Sequence, residues 1–201
     1  MKIRFGKKDG IYLAIIGFIV LIALRVVNSD SGGHMMGDSN SSGMNNSQST
    51  NDLQMNESMF AEMMIPHHQQ AVDMSDLALK KSTNPSVLDL AKRIKDGQSA
   101  EIIQMQSWLG SSESNSMMSD HSGHSMGGML TEEEFSKLES ASGSEFDKLF
   151  LESMIVHHEG AIDMSKMIKD TPTQEINLFG INVIEVQSAE IREMKEILEN
   201  L

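Results

Sequence analysis

One phrase of sixteen residues occurs twice in the chain. Phe60 to Ser75 reads FAEMMIPHHQQAVDMS and Phe150 to Ser165 reads FLESMIVHHEGAIDMS, identical at ten of the sixteen positions and offset by 90 residues. Agreement of that length reads as an internal duplication. Within the first copy Phe60, Met64, His67, Ala71, Met74 and Ala78 step by four and three. That spacing is a single stripe of an α-helix. The stripe of the second copy is Phe150, Met154, His157, Ala161, Met164 and Ile168, and His68 and His158 flank the stripes. Each helix therefore carries two imidazoles and two thioethers along one side.

A second pattern follows each phrase. Gln98-Ser99-Ala100-Glu101-Ile102 with Met105 answers to Gln187-Ser188-Ala189-Glu190-Ile191 with Met194, here offset by 89 residues. The apolar spacing predicts four long helices, at about Asn56–Lys80, Pro85–Leu109, Ser144–Asp170 and Gln174–Leu198. Pro66 should kink the first. Asn84 should cap the second, with Pro85 as its first residue, and Ser144 should cap the third. Thr131 and Glu134 have the spacing of a capping box, which predicts a short helix to about Ala141. Gly180 is a mild weak point in the last helix. No stretch alternates with period two, so the fold class is all-α: two repeated helical hairpins forming a four-helix bundle over 55–201. The repeat halves are 55–109 and 144–200.

Thioether sulfur is soft and imidazole borderline, a set that suits Cu(I) better than hard cations. His67, His68, Met64, Met74 and Met105 are the candidate ligands in the first half. His157, His158, Met154, Met164 and Met194 are their counterparts in the second. The plain alternative is that a methionine stripe is core filler. The connection 110–130 is rich in Gly and Ser and should be flexible. Linker composition does not account for its His121, His124 and Met126, nor for Met117, Met118 and Met129, so it reads as a second soft-metal segment. Residues 28–54 read as a polar tether, which nonetheless contains His34, Met35, Met36 and Met44.

The quoted phrases resemble the signature of the bacterial "domain of unknown function 305" family, and both blocks occur twice, in order, over about residues 55 to 201. The resemblance implies a ferritin-like four-helix bundle, an extracytoplasmic location, and binding of copper or silver through Met and His.

The 201-residue chain has 18 Met and no Cys, which excludes a disulfide framework and a zinc ribbon. Its net charge is −13, with residues 1–27 carrying +4 and the remainder −17. So acidic a body argues against a nucleic-acid partner. Residues 1–10 are basic, and the apolar run that follows gives 18 residues from Gly10 to Val27. A spanning helix needs about 17–25. Positive charge before such a run directs export. Residues 1–27 are therefore expected to be an uncleaved signal anchor or transmembrane helix, in preference to a cleaved signal peptide.

No nucleophile elbow, phosphate loop or Cys–His pair is present. The Glu-x-x-His motif of di-iron carboxylate bundles is missing too, because Glu62 and Glu152 precede Ile65 and Ile155 by three residues. The expectation is a binding protein rather than an enzyme. It would be membrane-anchored, face outside the cytoplasm, and hold Cu(I) or Ag(I) for sequestration or for hand-over to a metal transporter or chaperone. The competing expectation is a structural or interaction module of the cell envelope with no metal role.

Overall fold

In the computed structural model the described residues are 46–109 and 127–201, with side chains in the first helix described from residue 56 onward. The apolar run of the expected anchor, the stretch 28–45, and His121, His124 and Met126 lie outside them. The described residues form five helices and no strand: α1 (Asn46–Lys81), α2 (Pro85–Leu109), α3 (Glu132–Ser140), α4 (Gly143–Ser165) and α5 (Gln174–Leu198). Among them no helix is long and apolar enough to cross a membrane.

The four long helices form a bundle around two apolar clusters. The first gathers Ala71, Met74 and Ala78 of α1, Val87 to Ile94 of α2, Phe146, Phe150 and Met154 of α4, and Ile191 and Met194 of α5. The second gathers Phe60, Ala61 and Met64 of α1, Met105 of α2, Ala161 of α4, Ile168 just beyond it, and Ile176, Phe179 and Val183 of α5. Both α1 and α5 run from the second cluster toward the first, and α2 and α4 run the other way. Each hairpin is thus antiparallel, and α1 crosses α4 antiparallel as well. The two stripes read from the sequence lie inward, all of their residues buried except Met164, which is half-buried.

Local signals account for most helix ends. The Asn84 side chain accepts from the Ser86 amide at 2.9 Å, leaving Pro85 as the first residue of α2. The Thr131 hydroxyl accepts from the Glu134 amide while Glu134 accepts from the Thr131 amide, a complete capping box. Lys81 at the end of α1 donates to the carbonyls of Glu139 and Ala141, and Leu138 seats α3 on the first cluster.

Three helix ends and one glycine differ from the expectation. α1 starts at Asn46, ten residues early, so the polar stretch before Asn56 is helical from there; it continues unbroken through Pro66. α4 starts at Gly143 (φ +62°), with Ser142 rather than Ser144 at the cap position and no side-chain capping bond. It ends at Ser165 instead of Asp170. Beyond Ser165 the amides of Met167, Ile168 and Thr171 bond three residues back, to Met164, Ser165 and Ile168, the tighter pattern that closes a helix end. Gly180 is a contact point rather than a weak one: a Cβ there would sit 3.0 Å from Ile168 Cγ1 and 3.2 Å from the Ser165 carbonyl, where α5 meets the end of α4.

Phe150 is fully buried and stacked at 6.2 Å on Phe146 in the first cluster. Phe150→Ala should lower the unfolding free energy by about 3–5 kcal/mol, read from urea denaturation, with α-helical content at zero denaturant retained.

Candidate functional site

A belt of polar side chains crosses the bundle where the two clusters meet. On α1 it falls between Met64 and Ala71, and contributes His67 and His68. On α4 it falls between Met154 and Ala161, and contributes His157 and His158. α2 supplies Gln98 and Glu101, between Ile94 and Met105, and α5 supplies Gln187 and Glu190, between Val183 and Met194. The four imidazoles are wholly buried, and the glutamates and glutamines are 2–7% exposed. The heptad-like spacing that hides the apolar stripe hides these residues too, because the helix cannot turn them out without exposing Phe60 or Phe150.

The rings form a row. His67 and His157 face each other across the α1–α4 crossing with centroids 3.8 Å apart. His68 lies 6.4 Å outward from His67, and His158 6.4 Å outward from His157. A glutamate closes each end: His68 Nε2 is 2.7 Å from Glu101 Oε2, and His158 Nε2 is 2.9 Å from Glu190 Oε2. A carboxylate accepts, so these contacts favour hydrogen on Nε2 of each outer ring. His67 Nε2 donates to the carbonyl of Gly127 at 3.2 Å, which fixes the same tautomer. The Nδ1 atoms of His67, His68 and His158 have no hydrogen-bond partner, and neither ring nitrogen of His157 has one of regular geometry. Both amide atoms of Gln98 and of Gln187 are also without one. Buried polar atoms are ordinarily paired. So many unpaired atoms in one layer leave donors and acceptors that water, an ion or another ligand can pair.

Burial lowers the pKa of His67 to about 3, with the His68 charge as the next cause; the Gly127 carbonyl opposes them. Burial also holds His157 well below the usual histidine range, followed by the charges of His67, His158 and His68. Both central rings are neutral at physiological pH, and only a neutral imidazole offers a lone pair to a metal.

Methionine sulfur brackets the belt on both sides. Met64 and Met105 lie on the side of the second cluster, and Met154 and Met194 on the side of the first, each about one helical turn from a belt residue. Met74 and Met164 are seven residues beyond His67 and His157, a rise of about 10 Å. They are embedded in the first cluster and packed on the second. Among the described residues no three His, Asp or Glu side chains already converge on one metal position.

The connection between the hairpins returns directly over the belt. Gln70 donates to the Leu130 carbonyl at 2.9 Å and accepts from the Leu130 amide at 2.8 Å. On α4 a Cβ at Gly160 would come within 1.8 Å of the Gly127 carbonyl oxygen, and one at Gly128 (φ +87°) within 2.4 Å of the Val156 carbonyl. Gln70 and Gly160 are the same position of the two phrases. The phrases differ there because one helix grips the strap 127–130 with a side chain and the other makes room for its backbone. Beside the strap an open groove of about 510 Å³ is lined by residues that include Pro66, Gln70, Leu130 and Phe135, with no histidine among them. From the sequence the histidines and methionines stand out as ligands, and Gln98, Glu101 and Glu190 as polar groups at the apolar seam, but not the pairing of the glutamates with His68 and His158. Its usable signal was Gln98 and Glu101, polar residues three apart on an apolar face, repeated at Gln187 and Glu190. For the strap contacts no such signal exists.

Comparison with known proteins bears on this geometry. A family model described as a domain of unknown function, DUF305, matches residues 57–198 in one span that includes both phrases. A DUF305 fragment from Deinococcus radiodurans is 30% identical with a TM-score of 0.65, covering 73% of this chain and 97% of the fragment. CopM in its Cu(II)-bound form is 35% identical with a TM-score of 0.62, covering 72% of this chain and 96% of CopM. The Cu(I)-bound form of CopM is 32% identical with a TM-score of 0.58, covering 72% and 96%. A comparison with curated protein sequences finds no match.

Two outcomes are expected of the apo protein. Above pH ~6.5 His67 and His157 are neutral in both folded and unfolded chains. As pH falls from 6.5 toward 3 the unfolded chain takes up protons that His67 does not, so stability declines. The loss is on the order of 1 kcal/mol per pH unit for each such histidine. The urea midpoint should fall across pH 6.5 to 4.5, less steeply in His157→Leu. Gly160→Ala should displace the strap and speed deuterium exchange at the Leu130 amide. Gly97→Ala, with nothing within 4 Å, should leave that amide unchanged.

Proposed function

This chain belongs to the DUF305 family, and on that premise we propose that it binds copper or silver as cargo, in sequestration or hand-over outside the cytoplasm. The observation that carries the proposal is the belt of four buried imidazoles with unpaired ring nitrogens, bracketed by four methionines. Neutral nitrogen with thioether sulfur is a borderline-to-soft donor set. Crystal forms of CopM described as Cu(I)-, Cu(II)- and Ag-bound support the same metals at 32–35% identity. We take His67, His68, His157 and His158 as nitrogen donors and Met64, Met105, Met154 and Met194 as sulfur donors. Met74 and Met164, a further turn away, serve packing. His121, His124 and Met126 would give a labile first capture. The basic, apolar N-terminal segment would anchor the domain to the membrane. A metal transporter or chaperone would receive the ion, and no catalytic step is part of the proposal.

One observation favours a second reading. Five of the six methionines nominated in the helices are fully buried within apolar clusters, as expected of core filler in an envelope module without metal.

Anaerobic titration of the full chain with Cu(I) against a competing chelator separates the two, with Zn(II) as control. The metal reading expects tight Cu(I) and weak Zn(II) binding. It also expects His67→Ala combined with His157→Ala to lose at least tenfold in Cu(I) affinity with helicity kept. No competition for Cu(I) would leave the envelope module. Ala at His121, His124 and Met126 together should lower the number of Cu(I) ions bound while sparing the tightest.

A further inference from the structure

Two glutamates hold the outer histidines in mirror fashion, and their placement has been kept through a change in chain length. His68 and Glu101 are 33 residues apart, His158 and Glu190 only 32, yet the contacts match: Nε2 to Oε2 at 2.7 Å and 2.9 Å, both buried. The connection between α1 and α2 is short, whereas that between α4 and α5 passes through the turns at 166–173. Different loops thus deliver the same pair.

The chemistry of the pair is directional. With hydrogen on Nε2 the ring donates to the carboxylate and leaves a lone pair on Nδ1. With hydrogen on Nδ1 the ring would turn a lone pair toward carboxylate oxygen and bury an N–H that has no acceptor, since Nδ1 of both rings is unpartnered. Leaving a buried donor unmade costs about 1–3 kcal/mol, so the tautomer is strongly one-sided.

We propose that Glu101 and Glu190 are positioning residues that lock His68 and His158 as Nε2–H tautomers and thereby present their Nδ1 atoms as the metal-donor nitrogens of the belt. The donor role rests on the soft-metal reading above; the tautomer lock stands without it. A histidine whose second nitrogen donates to a carboxylate has a fixed ring orientation and is a more basic ligand, and removing such a partner typically lowers metal affinity about 10–100-fold. Because the carboxylates touch the rings and not the donor atoms, they act on the ion only through the imidazoles.

The test is nitrogen NMR on the full chain, in detergent and with ¹⁵N-labelled histidine rings, before and after addition of Ag(I), which is diamagnetic. In the metal-free protein His68 and His158 should show protonated Nε2 and unprotonated Nδ1. Glu101→Leu should mix or reverse the tautomer of His68 alone, and Glu190→Leu that of His158 alone. Glu101→Gln should keep it, because the amide oxygen still accepts. Ag(I) should move the Nδ1 resonances of both rings, and its affinity should drop about 10–100-fold in each Leu variant and recover in the Gln variant. An Nδ1–H tautomer in the metal-free wild type overturns the proposal with no variant needed, so misfolding of a Leu variant does not shield it. Unmoved Nδ1 resonances when Ag(I) binds overturn the donor assignment and leave the soft-metal function standing. Failure of Ag(I) and Cu(I) to bind at all overturns both, with the tautomer lock still readable.

Discussion

Four imidazoles taken out of water in the middle of the bundle are the constraint from which the rest follows. Transfer of a polar ring to an apolar interior is costly unless its nitrogens find partners, and here five of the eight ring nitrogens find none. The bundle tolerates this because the layer is thin. Above and below it Phe60, Phe179 and Trp108, or Phe146, Phe150 and Leu90, bury large apolar surfaces. The belt divides one core into two, so α1 and α4 each bury an apolar turn, a histidine turn and an apolar turn again. Packing alone does not ask for such a layer, since leucines in its place would fill the same stripe at lower cost.

The partners that the belt does have are placed by different means. Glu101 and Glu190 come from the neighbouring helix of each hairpin and hold the outer rings from the side. Gly127 comes from the connection between hairpins and holds His67 from above. The first device is paired, and the second is single. This explains why the two phrases, so alike elsewhere, part company at Gln70 and Gly160: one strap can cross the bundle face only once, and the helices beneath it meet different parts of its backbone. The unpaired nitrogens and neutral central rings underlie the metal-binding proposal, and the CopM crystal forms supply its metals.

Much of this architecture was legible beforehand. The three-and-four spacing fixed which face of α1 and of α4 is buried, because any other face would expose Phe60 or Phe150. Asn84-Pro85 and Thr131 with Glu134 set helix starts through bonds made within a few residues. The starts of α1 and α4 and the end of α4 were misjudged. The end of α4 is set by the approach of α5 at Gly180, which is remote in sequence, and Gly143 adopts a positive φ that composition does not announce.

From sequence by itself came the helices, their inward stripes and the pairing of two histidines with each stripe, since helical periodicity is a local property and reports burial directly. Only the tertiary structure decided what each histidine faces. Whether His67 would meet His157, whether Glu101 would reach His68, and whether Gly160 would lie under a backbone carbonyl depend on the crossing of α1 and α4 and on the path of the strap. Those are set by the fit of whole helix surfaces, and no spacing along one helix encodes them. Spacing along each helix had already put Met64, Met105, Met154 and Met194 about one turn from a belt residue and Met74 and Met164 about two turns away. Residues on one stripe share a face, and their height relative to a neighbouring helix exists only once the helices have docked.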